Sequence, residues 1–439
     1  MEPLRRIEEA TPPGRDHYLD FLRVLALLLV VSGHWIARVV LDEGGAPSGH
    51  YLLNLVPELQ WASLIWQVMP VFFLVGGVVN ARSWRRARQR HEAPAAWAAR
   101  RARSLLMPLL VLVAALVPAA ALTEALAHSD RMIFGFTVAV FPLWFLATYM
   151  AVTALTPLTL ALHERGATPA FLAALMVVVV VLDLLRLLVG GPVLGTQPVI
   201  SGPNFLLLWL AVHQLGYLWA DGRLEGRGLA LLAAGAAGLV AMIGLGPWPL
   251  SMVPFEGTTR PNNGSPPTAA LMALALVQLG LSEMARPRVA RWLARPVLWA
   301  PVAVIGSQMI TLYLWHQPAM VAMAELTYRT GWLPMAQALD AQWWAGRPLW
   351  LLACLAGLIP MAVLASLLSP RPREAVPPGP GAARVAAGIV LVGAGTFGLI
   401  QTGLVQPAMP ANLPLISLLA LFAGMALLGL FTRAAPARR

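Results

Sequence analysis

The chain contains no lysine: all 31 of its basic residues are arginine. It has a single cysteine, Cys354, and only 12% of its 439 residues are charged. Each shortage excludes something. One thiol cannot build an intrachain disulfide framework, and a lone cysteine in an apolar run reads as a small apolar filler. A charged fraction this low, against about 25% in a soluble domain, excludes a solvated globular surface. The arginine-only basic set fits codon bias in a GC-rich bacterial genome better than a binding design. The N-terminus lacks a small-residue cleavage site, and its first apolar run is longer than a signal-peptide core. That run is expected to stay as a spanning helix.

Apolar sequence is what the chain has in quantity. Hydrophobic residues make up 58% of it, and mean hydropathy is +0.70. The expected fold class is all-α, a polytopic transmembrane helix bundle. About twelve runs are long enough to cross a bilayer: 19–41, 62–81, 104–122, 137–161, 169–189, 203–220, 228–247, 267–285, 299–324, 348–369, 384–404 and 413–432. The net charge of +11 does not call for nucleic acid, because the charges sit in short segments between runs. With the N-terminus inside, 25 arginines fall on the cytoplasmic side and five on the outer side (Arg38, Arg131, Arg260, Arg329 and Arg347). This asymmetry places both termini in the cytoplasm of a multi-pass plasma (inner) membrane protein. The expected divisions are a cytoplasmic segment (1–14), a ten-helix domain (15–369), a Pro/Gly-rich linker (370–383), two further helices (384–432) and a cytoplasmic tail (433–439).

Ionisable residues inside the runs mark candidate sites. Arg23 and His34 lie eleven positions apart, which on a helix puts them on one face about 16 Å apart. Asp20 is placed three residues before Arg23 to hold it by an ion pair. The neutral imidazole of His34 can take a proton from a hydroxyl that attacks an acyl group. His316, in the ninth run, comes at a similar depth because both helices run in the same direction. Asp183 and Arg186, three apart, read as a self-neutralising pair. For His213, beside Gln214, a hydrogen bond between helices is as good a reading as a functional one. Gln278 and Glu283 read as snorkelling side chains, and Trp332, Trp343 and Trp344 as interfacial anchors. The segment 82–103 holds eight arginines and reads as a cytoplasmic loop. Its guanidinium forks suit the phosphates of coenzyme A, although topology and anionic lipid alone would also account for it.

The stretch RDHYLDFLRVLALLLVVSGHW resembles the opening signature of the acyltransferase-3 family of integral membrane acyltransferases: an Arg, a short gap, Asp-x-x-Arg, ten residues and a His. Arg15, Asp20, Arg23 and His34 occupy those places. Four later stretches agree in order. Met69 to Gly77 is similar to the family's P-x-F-F motif, and Arg100 and Arg103 to its Arg-x-x-Arg. Pro142 to Leu146 is similar to its Trp-Phe-Leu element, and Ile305-Gly306 through Tyr313, Trp315, His316 and Pro318 to its late Ile-Gly…Tyr-x-x-Trp-His-x-Pro stretch. The resemblance covers 15–369 and leaves out the last two helices.

It implies transfer of an acyl group, commonly acetyl, from cytoplasmic acyl-CoA, with acetyl-CoA as the expected co-substrate. The acceptor would be a hydroxyl of a glycan, lipid-linked sugar or other small molecule. No metal and no permanently bound cofactor is expected; the partners are acyl-CoA, the acceptor and the bilayer. In family terms His34 is the catalytic residue with Arg23, supported by Asp20, Arg15 and His316. Arg100 and Arg103 lie on the acyl-CoA side. One departure is Gly76, where the family motif usually has Ser before Gly77. The rival class is a multi-span transporter or flippase for a small molecule or lipid-linked sugar, which also places ionisable groups at mid-membrane. The absence of an internal repeat between the halves speaks against it.

Overall fold

The structure is a computed structural model that describes residues 14–43, 46–127, 130–194, 197–254, 261–332, 339–369, 381–406 and 409–431. Most of the expected segment 1–14, the linker 370–383 and the tail 433–439 lie outside the described residues.

Helix α1 (His17–Ala37) stops four residues short of the expected limit at 41. The β-branched Val39 and Val40 favour extended backbone, and they open strand β1 (Arg38–Glu43), which pairs with β2 (Ala46–Tyr51). His34 therefore sits in the last turn of its helix rather than in the middle of a longer one.

Helix α2 (Met69–Gln89) runs beyond its apolar stretch, and α3 (Pro94–Ala127) begins well before 104. The segment read as an arginine-rich loop is thus two helix ends joined by a turn, with His91 at φ 58°. Arg and Ala are strong helix formers, so the helices continue where the apolar residues end.

The expected span 137–161 is three helices: α4 (Asp130–Val140), α5 (Leu143–Ala154) and α6 (Thr156–Glu164). Pro142 and Pro157 interrupt it, because the residue before a proline is disfavoured in a helix. Then come α7 (Thr168–Leu184), α8 (Asn204–Ala220), α9 (Gly228–Leu239) and α10 (Ala269–Leu293). The expected ninth span is broken at Gln308 into α11 (Pro296–Ser307) and α12 (Met309–Thr330). Helices α13 (Ala341–Leu368), α14 (Ala382–Thr402) and α15 (Leu415–Leu427) complete the chain.

Among the described residues, nine helical stretches are long and apolar enough to cross a membrane, and α11 with α12 make a tenth if they form one broken span. The remaining two of the twelve expected spans are the 17-residue α8 and the 13-residue α15. Large apolar side chains such as Leu352, Leu367, Val390 and Ile416 are more than half exposed on these helices, as lipid contact demands. The all-α polytopic bundle is what the structure shows.

The helices divide into two compact units that interleave along the chain. One takes the chain up to Gly33, Tyr51–Ser83 and Leu158–Met309; the other takes His34–His50, Trp84–Pro157 and everything from Ile310.

In the first unit α9 lies along α10, and α8 packs on α7 and α10. Helices α2 and α8 approach backbone to backbone at Gly77 and Gly216, where an added Cβ on Gly77 would meet the Gly216 Cα at 2.9 Å and collide with the His213 carbonyl. Asp183 and Arg186 do not pair with each other. Asp183 accepts from Asn204 Nδ2, Trp248 Nε1 and the Ala269 amide at the start of α10, at 2.7–3.0 Å, while Arg186 donates to the Pro266 and Asn262 carbonyls. A buried carboxylate gains more from three fixed donors and a helix N-terminus than from one flexible guanidinium.

In the second unit α14 packs on α3, α4 and α5 and pairs with α15 through glycines. A Cβ on Gly395 would lie 2.6 Å from the Leu421 amide, and one on Gly424 2.7 Å from the Gly388 carbonyl. Small residues let membrane helices approach closely. The last two helices are therefore built onto this unit.

Gly77→Val should lower the melting temperature of the detergent-solubilised protein, with overpacking costing about 1–3 kcal/mol. An unchanged melting temperature would mean that the α2–α8 contact is looser than described.

Candidate active site

The second unit brings His34 and His316 together. Nδ1 of His34 lies 2.9 Å from Nε2 of His316, and the two rings stack with centroids 5.1 Å apart and planes 16° apart. The other nitrogen of His316, Nδ1, faces the carbonyl of Tyr313, one turn back on α12. A carbonyl only accepts, so Nδ1 of His316 carries the proton and its Nε2 offers a lone pair. That lone pair accepts Nδ1–H of His34, which leaves Nε2 of His34 with the free lone pair. His316 is fully buried, whereas His34 keeps part of its surface. The buried imidazole orients; the partly exposed one can react.

The surroundings fix this pair. Trp35 Nε1 donates to the His316 carbonyl at 3.0 Å, and Trp350 Nε1 donates to the Trp35 carbonyl at 3.0 Å. The second bond satisfies one of the carbonyls left without a partner at the end of α1. Tyr313 donates its hydroxyl to the Pro142 carbonyl and packs edge-on against Phe145. The Trp-Phe-Leu and Tyr-x-x-Trp-His elements thus meet, which their sequence separation conceals. Arg38, the first residue after α1, is buried with its guanidinium 5.8 Å from the centre of the Phe134 ring.

The other sequence candidates lie elsewhere. In the first unit Arg15 and Arg23 both reach Asp20, at 2.6 and 3.5 Å. Asp16 likewise holds Arg82 and Arg286, at 3.4 and 2.8 Å. Four arginines on two carboxylates leave net positive charge at the start of α1. Asp16 and Arg286 are not singled out in the sequence, because the contact between them spans 270 positions. His213 accepts from Asn80 Nδ2 at 3.1 Å, which matches the reading of a histidine bonded between helices. Gln278 donates to the Gln67 carbonyl and Glu283 accepts from Trp219, so both are fixed rather than snorkelling.

In the second unit, Arg100 is held by Glu92 through two bonds of 3.1 and 2.8 Å. Arg103 donates to the Leu428 carbonyl at the end of α15, and Arg384 donates to the neighbouring Leu427 and Ala426 carbonyls. A guanidinium has five N–H donors, so Arg100 and Arg103 each keep donors for a further ligand.

A family profile described as an acyltransferase domain matches residues 16–367. The chain belongs to the acyltransferase-3 family. It is a membrane acyltransferase by that membership, and α14 and α15 lie beyond the matched range. No curated protein and no solved structure matches the chain. The profile spans every element that builds the histidine pair, from α1 to α13. In this acyltransferase Gly77, at the close of the second-helix motif, is the residue that admits α8, and the departure at Gly76 is buried beside it.

The bonding pattern fixes the tautomer of His34. Nitrogen NMR of the labelled protein should show Nδ1 protonated and Nε2 unprotonated at neutral pH. His316→Ala should turn this into a tautomer mixture, and a wild-type mixture would contradict the geometry.

Proposed function

We propose that this acyltransferase moves an acyl group, acetyl in the simplest case, from acyl-CoA to a hydroxyl of a glycan, lipid-linked sugar or other small acceptor, with His34 as the catalytic base. The observation that carries the proposal is the histidine pair. A lone pair at Nε2 of a partly exposed imidazole is what a hydroxyl needs to lose its proton as it attacks.

The acceptor hydroxyl gives its proton to His34 Nε2 while its oxygen bonds to the thioester carbonyl carbon. Collapse of the tetrahedral adduct breaks the carbon–sulfur bond, and the departing thiolate takes the proton back from Nε2. The positive charge that appears on His34 in between is stabilised by His316, whose Nε2 keeps accepting Nδ1–H. This is the role that a buried carboxylate plays behind the histidine of a serine hydrolase, filled here by a second imidazole.

Basic groups serve the donor. Arg100 and Arg103 offer their remaining N–H donors to the phosphates of coenzyme A. Arg23, with Arg15 and Asp20, sits at the opposite end of α1 from His34, about 16 Å away along the helix. The arginine asymmetry supports a cytoplasmic position for that end and both termini, the side from which acyl-CoA would enter. The acceptor then reaches His34 from the outer side, where α1 ends.

Free CoA released from acetyl-CoA by the purified protein, supplied with a pool of hydroxylated glycans, tests the reading. His34→Ala should lower release by about 10²–10⁴-fold, and His316→Ala by less. Release that is unchanged in His34→Ala sinks the proposal.

A further inference from the structure

Helix α13 carries a cation whose surroundings ask for an anion. Trp343, Arg347 and Trp350 follow one another at four and three positions, which puts them on one face. The Arg347 guanidinium lies 4.0 Å from the Trp343 ring centre and 5.7 Å from that of Trp350. Trp343 is 4% exposed and Trp350 6%, so Trp343 is not the interfacial anchor that its place in the sequence suggests. The Nε of Arg347 and the Nε1 of Trp343 are buried and have no hydrogen-bond partner among the described residues. No carboxylate among those residues pairs with Arg347 either. Buried polar groups are nearly always satisfied, so these donors are open to a water, an ion or a ligand. Both groups here are pure donors, so any group that binds them brings acceptor atoms.

The place of this cation gives it meaning. Trp350, which borders Arg347, donates to the carbonyl of Trp35, and Trp35 adjoins His34 and donates to His316. One cation–π contact and one hydrogen bond therefore separate Arg347 from the residue after the reactive histidine. Beside it the Trp344 ring stands edge-on to Trp343 at 4.8 Å and is 41% exposed, a flat apolar face of the kind on which the C–H side of a sugar ring stacks.

We propose that Arg347, with Trp343 and Trp344, forms the acceptor subsite of the enzyme and takes an acidic saccharide, one that carries a carboxylate or phosphate beside the hydroxylated ring. The proposal rests on the reading of His34 as the acyl-transfer residue. It specifies the substrate class: the anion docks at Arg347, the ring stacks on Trp344, and a hydroxyl is left facing His34.

The test reads binding, so it does not depend on acyl transfer. The full-length protein in phosphatidylcholine nanodiscs is titrated with methyl β-glucuronide, methyl β-glucoside and inorganic phosphate while tryptophan fluorescence is followed. The expected result is a saturable change with glucuronide or phosphate, at least about tenfold tighter than with the neutral glucoside. Arg347→Gln should weaken it by about tenfold or more, and Arg347→Lys should restore part of it. Trp344→Phe should reduce the amplitude, and it provides a second variant if Arg347→Gln does not fold. Preference for glucuronide points to a carboxylated sugar, and preference for phosphate to a phosphate-bearing sugar. Equal affinity for the glucoside, indifference to Arg347→Gln, or no saturable response to either anion overturns the proposal. So does loss of the response in phosphatidylglycerol nanodiscs, which would make Arg347 a lipid-headgroup anchor. If transfer is lost in His34→Ala but these titrations fail, only the subsite is wrong.

Discussion

A helix that ends within a membrane protein leaves its last carbonyls without partners, in a medium where such groups are costly. The end of α1 at Ala37 sets that requirement, and the histidine site answers it. Trp350 supplies a donor to the carbonyl of Trp35, and the ring of Trp35 in turn donates to His316. The residue whose carbonyl is capped at the helix end is thus the one whose ring holds the backbone of His316. Had α1 run on to residue 41, the Trp35 carbonyl would have found its partner inside the helix, and Trp350 would have had no such anchor.

The same rule orders the first unit. Asp183 and Arg186 sit within an apolar helix, yet neither neutralises the other; each organises backbone from the connection between α9 and α10. Asp183 does so at the N-terminus of α10, where a negative charge meets free amides. Polar groups at membrane depth here fix chain segments that lack their own regular hydrogen bonding.

The two C-terminal helices follow a different logic. Glycines at Gly388, Gly395 and Gly424 bring α14 and α15 into backbone contact, and arginines from α3 and α14 cap the end of α15. Arg103 belongs to the Arg-x-x-Arg stretch that resembles a family motif. Its tie to Leu428 makes a helix outside the matched domain part of that arginine's support.

Much of this was legible in the sequence, and for stated reasons. Apolar run length fixed the helical class, because a bilayer core admits only helices or closed barrels. Arginine placement fixed an expected orientation, and spacing put Arg23 and His34 on one face. The five ordered motifs point to the family without any knowledge of contacts. Helix ends were less legible: Val39 and Val40 end α1 early, while Arg and Ala carry α2 and α3 past their apolar runs. What only the tertiary structure decided is who meets whom. The 282 positions between His34 and His316 carry no periodicity that pairs them. Asp16 with Arg286 and Trp35 with Trp350 are just as far beyond local pattern. Sequence sets which groups must find a partner in an apolar medium; packing alone selects the partner, because that choice depends on distances that no local spacing encodes.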